Sequence, residues 1–334
     1  MKFLVVGLGS MGKRRIRNLI ALNQKEIIGF DTKQERCLEA TEKYGITTFT
    51  DFSKCLENKP DAMIISTPPD LHMKYAKEAI KNKIHFFTEA SVVQNEMQEV
   101  IQALKNADIV GLPSCTMRYH PIILRLDEIL SNGDLGKVLA FFYHSGQYLP
   151  DWHPWEDYRK FYVSKYETGA CREIVPFELI WLVSTFGNIK DVFGNKDKIS
   201  DLETNIDDIY NMIIEFVNGI KGVLTVDVIA RYPIRQLKIL TEKGMILADW
   251  YENFVNVYTK EDGWNKMDID SGTPEKGYIH GEKMYIQEIN NFIDSIKGKI
   301  KQPYTFDEDF KILKILEKIE KSSNLGIKQQ VNNS

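Results

Sequence analysis

Three glycines and one acid near the start of the chain have the types and spacing to hold a phosphorylated ligand. Gly7-Leu8-Gly9-Ser10-Met11-Gly12 follows the apolar run Lys2-Phe3-Leu4-Val5-Val6, and Asp31 lies 19 residues beyond Gly12, at the end of Ile27-Ile28-Gly29-Phe30. A pyrophosphate is held by bare backbone N–H groups and the positive end of a helix dipole, so the turn beneath it must lack side chains. Gly7 permits the tight turn, Gly9 the close approach and Gly12 the packing of helix on strand, with Ser10 and Met11 completing the turn. A carboxylate at Asp31 can accept both ribose hydroxyls of NAD and repel a 2′-phosphate. Lys33 and Arg36 could each reach such a phosphate, so NAD is the expected cofactor and NADP the weaker choice. The plain alternative is a glycine-rich turn in some other α/β protein.

The elements that must position these residues follow the same pattern. Short apolar runs alternate with helical stretches as far as Leu112: strands near residues 47–49, 61–66, 84–87 and 108–112, helices near 33–44, 72–82 and 95–106. Such alternation means βαβ units, a doubly wound parallel sheet and ligands beyond the carboxyl ends of the strands. The pattern changes near Arg118. A helix over 121–131, a long strand over 138–146 and a helix over 171–186 (despite Pro176) lead into strands near 208–217, 221–231, 236–241, 245–250 and 254–258. Two amphipathic helices, near 282–296 and 306–322, close the chain, and Gln329 to Ser334 read as frayed. The fold class is therefore α/β, with residues 1–119 a dinucleotide-binding domain and 120–334 an α+β domain on a large, mostly antiparallel sheet.

Composition narrows the function. The 334 residues suffice for two cores, and 43% hydrophobic with 27% charged residues is ordinary for a globular protein. A net charge of −4 gives no electrostatic case for nucleic acid or an anionic membrane. No run is long enough to span a membrane. The four cysteines and six histidines are scattered without paired spacing, which predicts reduced thiols, a cytoplasmic location and no metal site.

On these residues the chain resembles the glucose–fructose oxidoreductase and inositol dehydrogenase (Gfo/Idh/MocA) family over nearly its whole length. The likeness rests on Gly7 to Asn18, Ser66-Thr67-Pro68-Pro69 with His72, Phe87-Thr88-Glu89, Arg118-Tyr119-His120-Pro121 and the stretch from Gly169 to Gly187. It implies a Rossmann domain followed by a domain whose open sheet carries the sugar site and packs subunits together, hence a homo-oligomer, dimer or tetramer. It also implies NAD(P)-linked oxidation or reduction of a sugar carbon. Thr67, Pro68 and His72 match the loop under the cofactor, Glu89 the acid near the nicotinamide ribose, and Arg118 a residue that could steer either ligand. The stretch Trp152-His153-Pro154 through Tyr158-Arg159 and Tyr162 is similar to members of sugar-nucleotide and nonulosonic acid pathways.

Departures fall where the chemistry should be. The family has Glu-Lys-Pro after its fifth strand, where this chain has Glu89-Ala90-Ser91. The family's acid, and the histidine four residues on, align with Glu173 and Phe177. Oxidising a secondary alcohol needs a group to take the hydroxyl proton, worth ~10²–10⁴-fold in rate, and neither alanine nor phenylalanine can do so. Glu173 is the first candidate for that work, and His153, in an irregular aromatic segment, is the second. Tyr158, Arg159, Tyr162 and Arg172 are candidates for the substrate, Arg159 as a clamp for a carboxylate or phosphate. Their ordinary readings are packing and ion pairs within the fold, and Glu178 and Lys165 fit those readings better than catalytic ones. The leading expectation is an NAD-dependent oxidoreductase acting on a sugar. A lyase, epimerase or hydrolase that oxidises its sugar transiently, a non-catalytic NAD- or sugar-binding protein and a structural oligomer component remain as alternatives.

Overall fold

The computed structural model describes residues 1–152, 156–274 and 281–331. It divides into two compact units, Met1–Thr116 with Tyr285–Phe310, and Met117–Met284 with Lys311–Ser334.

The first unit begins with β1 (Lys2–Val6), α1 (Ser10–Ala21), β2 (Glu26–Phe30), α2 (Gln34–Tyr44), β3 (Thr47–Phe49) and α3 (Phe52–Glu57). It continues through β4 (Ala62–Ile65), α4 (His72–Lys81), β5 (His85–Thr88), α5 (Met97–Lys105) and β6 (Gly111–Pro113). The six strands are parallel, in the order β3-β2-β1-β4-β5-β6. Strand order reverses between β1 and β4, the position at which such sheets open a crevice for a ligand. Strands buried on both faces read as continuous apolar runs, and Phe3, Leu4, Val5, Val6 and Ala62 to Ile65 are all fully buried.

After α6 (Pro121–Ser131), the second unit contains β7 (Val138–Gly146), α7 (Ala170–Phe186), β8 (Ile189–Asp197), β9 (Ile209–Phe216) and β10 (Lys221–Asp227). Next come β11 (Ile234–Thr241), β12 (Gly244–Asp249), β13 (Phe254–Thr259) and β14 (Gly263–Asp268); the chain then passes through α8 (Lys283–Ile296), which from Tyr285 on belongs to the first unit, to α9 (Phe306–Leu325) and β15 (Gln329–Gln330). The nine strands order as β14-β13-β12-β11-β7-β10-β9-β8-β15 and are antiparallel except for β7 with β10. One face packs on α7: Phe141 stacks on Phe186 at 4.6 Å and Tyr143 meets Trp181 edge-on at 5.2 Å. Because α7 is buried around most of its circumference, it carries apolar residues on nearly every side. It runs unbroken through Pro176.

Two expectations change. A single cut after residue 119 gives way to a chain that returns to the first unit, because Ile289, Phe292 and Ile293 of α8 join its core and Phe292 lies 6.0 Å from Phe87. The expected fraying at Gln329 is corrected as well: Gln329 and Gln330 form β15, which pairs with β8 at Val192 and Asp191.

Candidate active site

The turn between β1 and α1 is built as its glycines require. Gly7 has φ +91°, and a Cβ there would lie 2.6 Å from the Ser66 carbonyl oxygen. A Cβ on Gly12 would lie 1.8 Å from the Gly7 carbonyl oxygen. Gly9 differs: its notional Cβ meets nothing closer than Arg36 Nη1 at 3.5 Å, so internal packing does not demand glycine there. Gly9 also caps α1 without a side-chain hydrogen bond, and the first turn holds no acid. A helix start with no acid in its first turn suits an anion. Ser10 and Met11 open that helix, and Met11 sulfur takes an Arg14 N–H at 3.5 Å.

Asp31 is buried at the carboxyl end of β2. Its Oδ2 accepts the Leu8 N–H at 2.8 Å and its Oδ1 the Lys33 N–H at 2.9 Å. The acid thus ties down the glycine turn while keeping a further lone pair on each oxygen. Arg36 Nη1 stands 3.6 Å from Asp31 Oδ2, whereas the Lys33 side chain is exposed.

Across the strand reversal, Thr67 and Pro68 follow β4 and His72 opens α4. His72 Nε2 pairs with the Thr67 carbonyl at 2.9 Å, and burial holds the imidazole below its ordinary pKa, hence neutral near pH 7. The buried Thr67 Oγ1 has no hydrogen-bond partner, an orphaned polar atom that a ligand can satisfy. Glu89, just beyond β5, is not free: Arg15 Nε and Nη2 reach its two oxygens at 2.8 and 2.7 Å, and Ser66 Oγ donates at 2.8 Å. Burial pushes the Glu89 carboxyl up, but Arg15 outweighs it and leaves the group below the usual range. These residues fit a dinucleotide.

Sequence reasoning gave no role to Arg15 or Ser66, which it noted only as matching the family, and missed Glu288. Arg15 was visible as an arginine among the buried positions Gly12, Ile16 and Leu19 of one α1 face. Glu288 was visible as an acid on the apolar stripe of Tyr285, Ile289 and Phe292.

In the second unit, Glu173 lies in the first turn of α7, and the Tyr162 O–H donates to its Oε1 at 3.2 Å. Phe177 is half-buried on the same helix, one turn on. Arg172 turns to α9 instead, donating to Glu320 at 2.6 Å and to the Glu167 carbonyl at 2.8 Å. Arg159, exposed, is held by Asp157 at 2.7 Å and Glu203 at 2.6 Å, while the Tyr158 hydroxyl accepts the Glu203 N–H at 3.3 Å. Arg118 is half-buried in this unit and its charge acts on Asp127 of α6. Glu178 is fully buried and accepts from Tyr143, Trp181, Ser145 and Arg235 at 2.6–3.0 Å, which makes it a core ion pair. Lys165 is exposed. His153 lies outside the described residues. Among the described residues, no group of three or more His, Cys, Asp or Glu could hold a metal ion, and no helix is long and apolar enough to cross a membrane.

A reversal of strand order, a glycine turn on a helix start and an acid beyond β2 define a dinucleotide-binding Rossmann unit. Comparison with known proteins agrees. Residues 1–112 match the family model described as an oxidoreductase family with an NAD-binding Rossmann fold, and residues 123–247 match the GFO/IDH/MocA C-terminal domain. The chain belongs to the Gfo/Idh/MocA family of NAD-binding oxidoreductases. It is 24% identical to the myo-inositol 2-dehydrogenase of Thermotoga maritima, over 95% of this chain and 94% of that one. In fold it is similar to a levoglucosan dehydrogenase solved with NADH (TM-score 0.86, 17% identity, all of both chains). It is also similar in fold to the myo-inositol 2-dehydrogenase of Lactobacillus plantarum (TM-score 0.83, 17% identity, 99% of each chain).

Proposed function

We propose that this protein is an NAD-dependent oxidoreductase acting on a secondary alcohol of a sugar or sugar derivative. The observation that carries the reading is the bare Gly9 turn tied to Asp31, a cradle that the fold's own packing does not require at Gly9. The dehydrogenases of inositol and levoglucosan among its relatives support a polyhydroxylated substrate.

Bound NAD supplies a hydride acceptor, and its reduced form a hydride donor. The chain's residues do the rest. The N–H groups at the start of α1 and the Asp31 carboxylate bind and orient the cofactor, with Asp31 favouring NAD over NADP and Arg36 tempering that preference. Thr67, Pro68, His72 and Glu89 line the half beyond the strand reversal. Glu173 Oε1 takes the proton of the substrate hydroxyl, and the Tyr162 hydroxyl holds that carboxylate in place. Tyr158, Arg159 and Arg172 belong to the substrate side; Arg159 would exchange Glu203 for an anionic group of the sugar. His153 is the second candidate for the proton, and Arg118 steers a ligand.

The protein works in the cytoplasm as a dimer or tetramer. Support comes from the second face of the large sheet, where Phe142, Ile213 and Val223 are 48%, 58% and 37% exposed. There Phe142, Val223, Leu247 and Phe254 line a hollow of about 440 Å³. Exposed apolar area of this kind marks an association surface. A sedimentation experiment that finds only monomer removes the assembly.

The reaction is tested by mixing the protein with NAD and a panel of polyols, sugars and sugar nucleotides while following the absorbance of reduced nicotinamide. Reduction with one class of substrate is expected. Product formation without net reduction would replace this reading by transient oxidation, and binding without turnover by a non-catalytic role.

A further inference from the structure

Arg15 of α1 has a fully buried side chain and serves two carboxylates, Glu89 at the end of β5 and Glu288 of α8. Glu288 Oε2 accepts from Arg15 Nη2 at 2.9 Å and from Thr116 Oγ1 at 2.7 Å, and its Oε1 from Ser114 Oγ at 2.9 Å and the Cys115 N–H at 2.7 Å. Arg14, the next cation along, is instead stacked on the Tyr285 ring at 4.0 Å. His72, on the side of α4, is held neutral by burial. One cation therefore faces two acids, a surplus of one negative charge that is costly to bury uncompensated. Among the three side chains, only Glu89 has appreciable exposure, 13% against 0% for Arg15 and 3% for Glu288. The field of the cluster emerges at Glu89.

With the pyrophosphate at the Gly9 turn and the adenosine ribose at Asp31, the other half of the cofactor falls beyond the strand reversal, over the ends of β4 and β5. That half ends in a ring that is cationic when oxidised and neutral when reduced. We propose that the Arg15–Glu89–Glu288 cluster distinguishes the two oxidation states. Its surplus charge stabilises the oxidised ring, and Glu288 takes a proton from solvent when the neutral ring is bound. Burial, reinforced by the neighbouring Glu89, pushes the Glu288 carboxyl up despite the donors around it, the direction this role requires. The inference rests on the cofactor reading above and adds to it a charge-sensing group on α8.

Calorimetric titration of the wild-type protein with NAD⁺ and with NADH, near pH 7 in buffers of different ionisation enthalpy, counts the protons exchanged. NADH binding is expected to take up more protons than NAD⁺ binding by a sizeable fraction of one. Glu288→Gln should abolish that difference and weaken NAD⁺ relative to NADH by roughly tenfold. It should leave ADP-ribose, which lacks the ring, bound as before. Equal proton counts for the two cofactors in the wild type would overturn the proposal, as would a Glu288→Gln variant that loses ADP-ribose in step with NAD⁺. A protein that binds neither nucleotide would fail the cofactor reading itself.

Discussion

The Leu8 N–H donates to Asp31 Oδ2 at 2.8 Å, which joins the glycine turn to the acid proposed to read the ribose. On that proposal one carboxylate serves both fold and ligand. Asp31→Ala leaves the buried Leu8 donor unpaired and should destabilise the protein by about 1–3 kcal/mol as well as abolish NAD binding. Asp31→Asn keeps an acceptor for only one of the two N–H donors, Leu8 and Lys33, so it should be destabilised less than Asp31→Ala, by about 1 kcal/mol, while weakening NAD at least about tenfold. Urea midpoints and calorimetric affinities separate the two effects.

Gly9 and Gly12 look alike in sequence and should behave oppositely. Gly9→Ala places a methyl in open space beside Arg36 and should change stability by no more than about 0.5 kcal/mol, yet it should cost NAD binding more than about tenfold. Gly12→Ala drives a methyl into the Gly7 carbonyl and should destabilise by more than about 3 kcal/mol. Thermal melts with and without NAD distinguish them. A Gly9→Ala protein that binds NAD normally would remove the phosphate from that turn.

Glu173→Gln should lower the turnover of the true substrate by about 10²–10⁴-fold and leave NAD affinity unchanged. Tyr162→Phe removes only the hydroxyl that holds the carboxylate and should cost roughly tenfold. Turnover and cofactor affinity measured on the same preparations give the answer. A fully active Glu173→Gln enzyme would pass the proton to another group.

Asp309 in the first turn of α9 is fully buried, accepts the Tyr304 O–H at 3.1 Å and is pushed up to about 7 by burial. In the unfolded chain its pKa is near ~3.9. Between about pH 4 and pH 7 the unfolded chain therefore releases a proton that the folded chain keeps. Stability falls as pH rises through that window, by roughly 4 kcal/mol in all, and levels off above it. Asp309→Asn keeps an acceptor for Tyr304 without the charge. It should be more stable than the wild type by a few kcal/mol at pH 8 and nearly equal at pH 4, as read from urea midpoints at the two values.

How far local pattern reaches can be seen in particular residues. The parallel strands were legible because burial on both faces makes them unbroken apolar runs, and β7 was read over the residues it occupies, Val138–Gly146. β8 was missed because its Lys190, Asp191, Asn195 and Lys196 interrupt the alternation, although it pairs along its length with β9, the next strand in sequence; its other partner, β15, lies more than 130 residues away. The stripe on α8 announced burial but not which unit would bury it. At the site, the glycine turn and Asp31 are local and were readable. The partners of Arg15 are 74 and 273 residues distant, and those of Arg159 and Arg172 include acids 44 and 148 residues away, so their ion pairs emerge only in the fold.

The most direct measurement follows the hydrogen itself. The protein is incubated with NAD and a sugar deuterated at the reacting carbinol carbon, and both products are analysed by mass spectrometry. The account predicts deuterium on the nicotinamide ring of reduced cofactor and a ketone at the sugar carbon. A sugar that is converted while the cofactor acquires no deuterium at any time would contradict it.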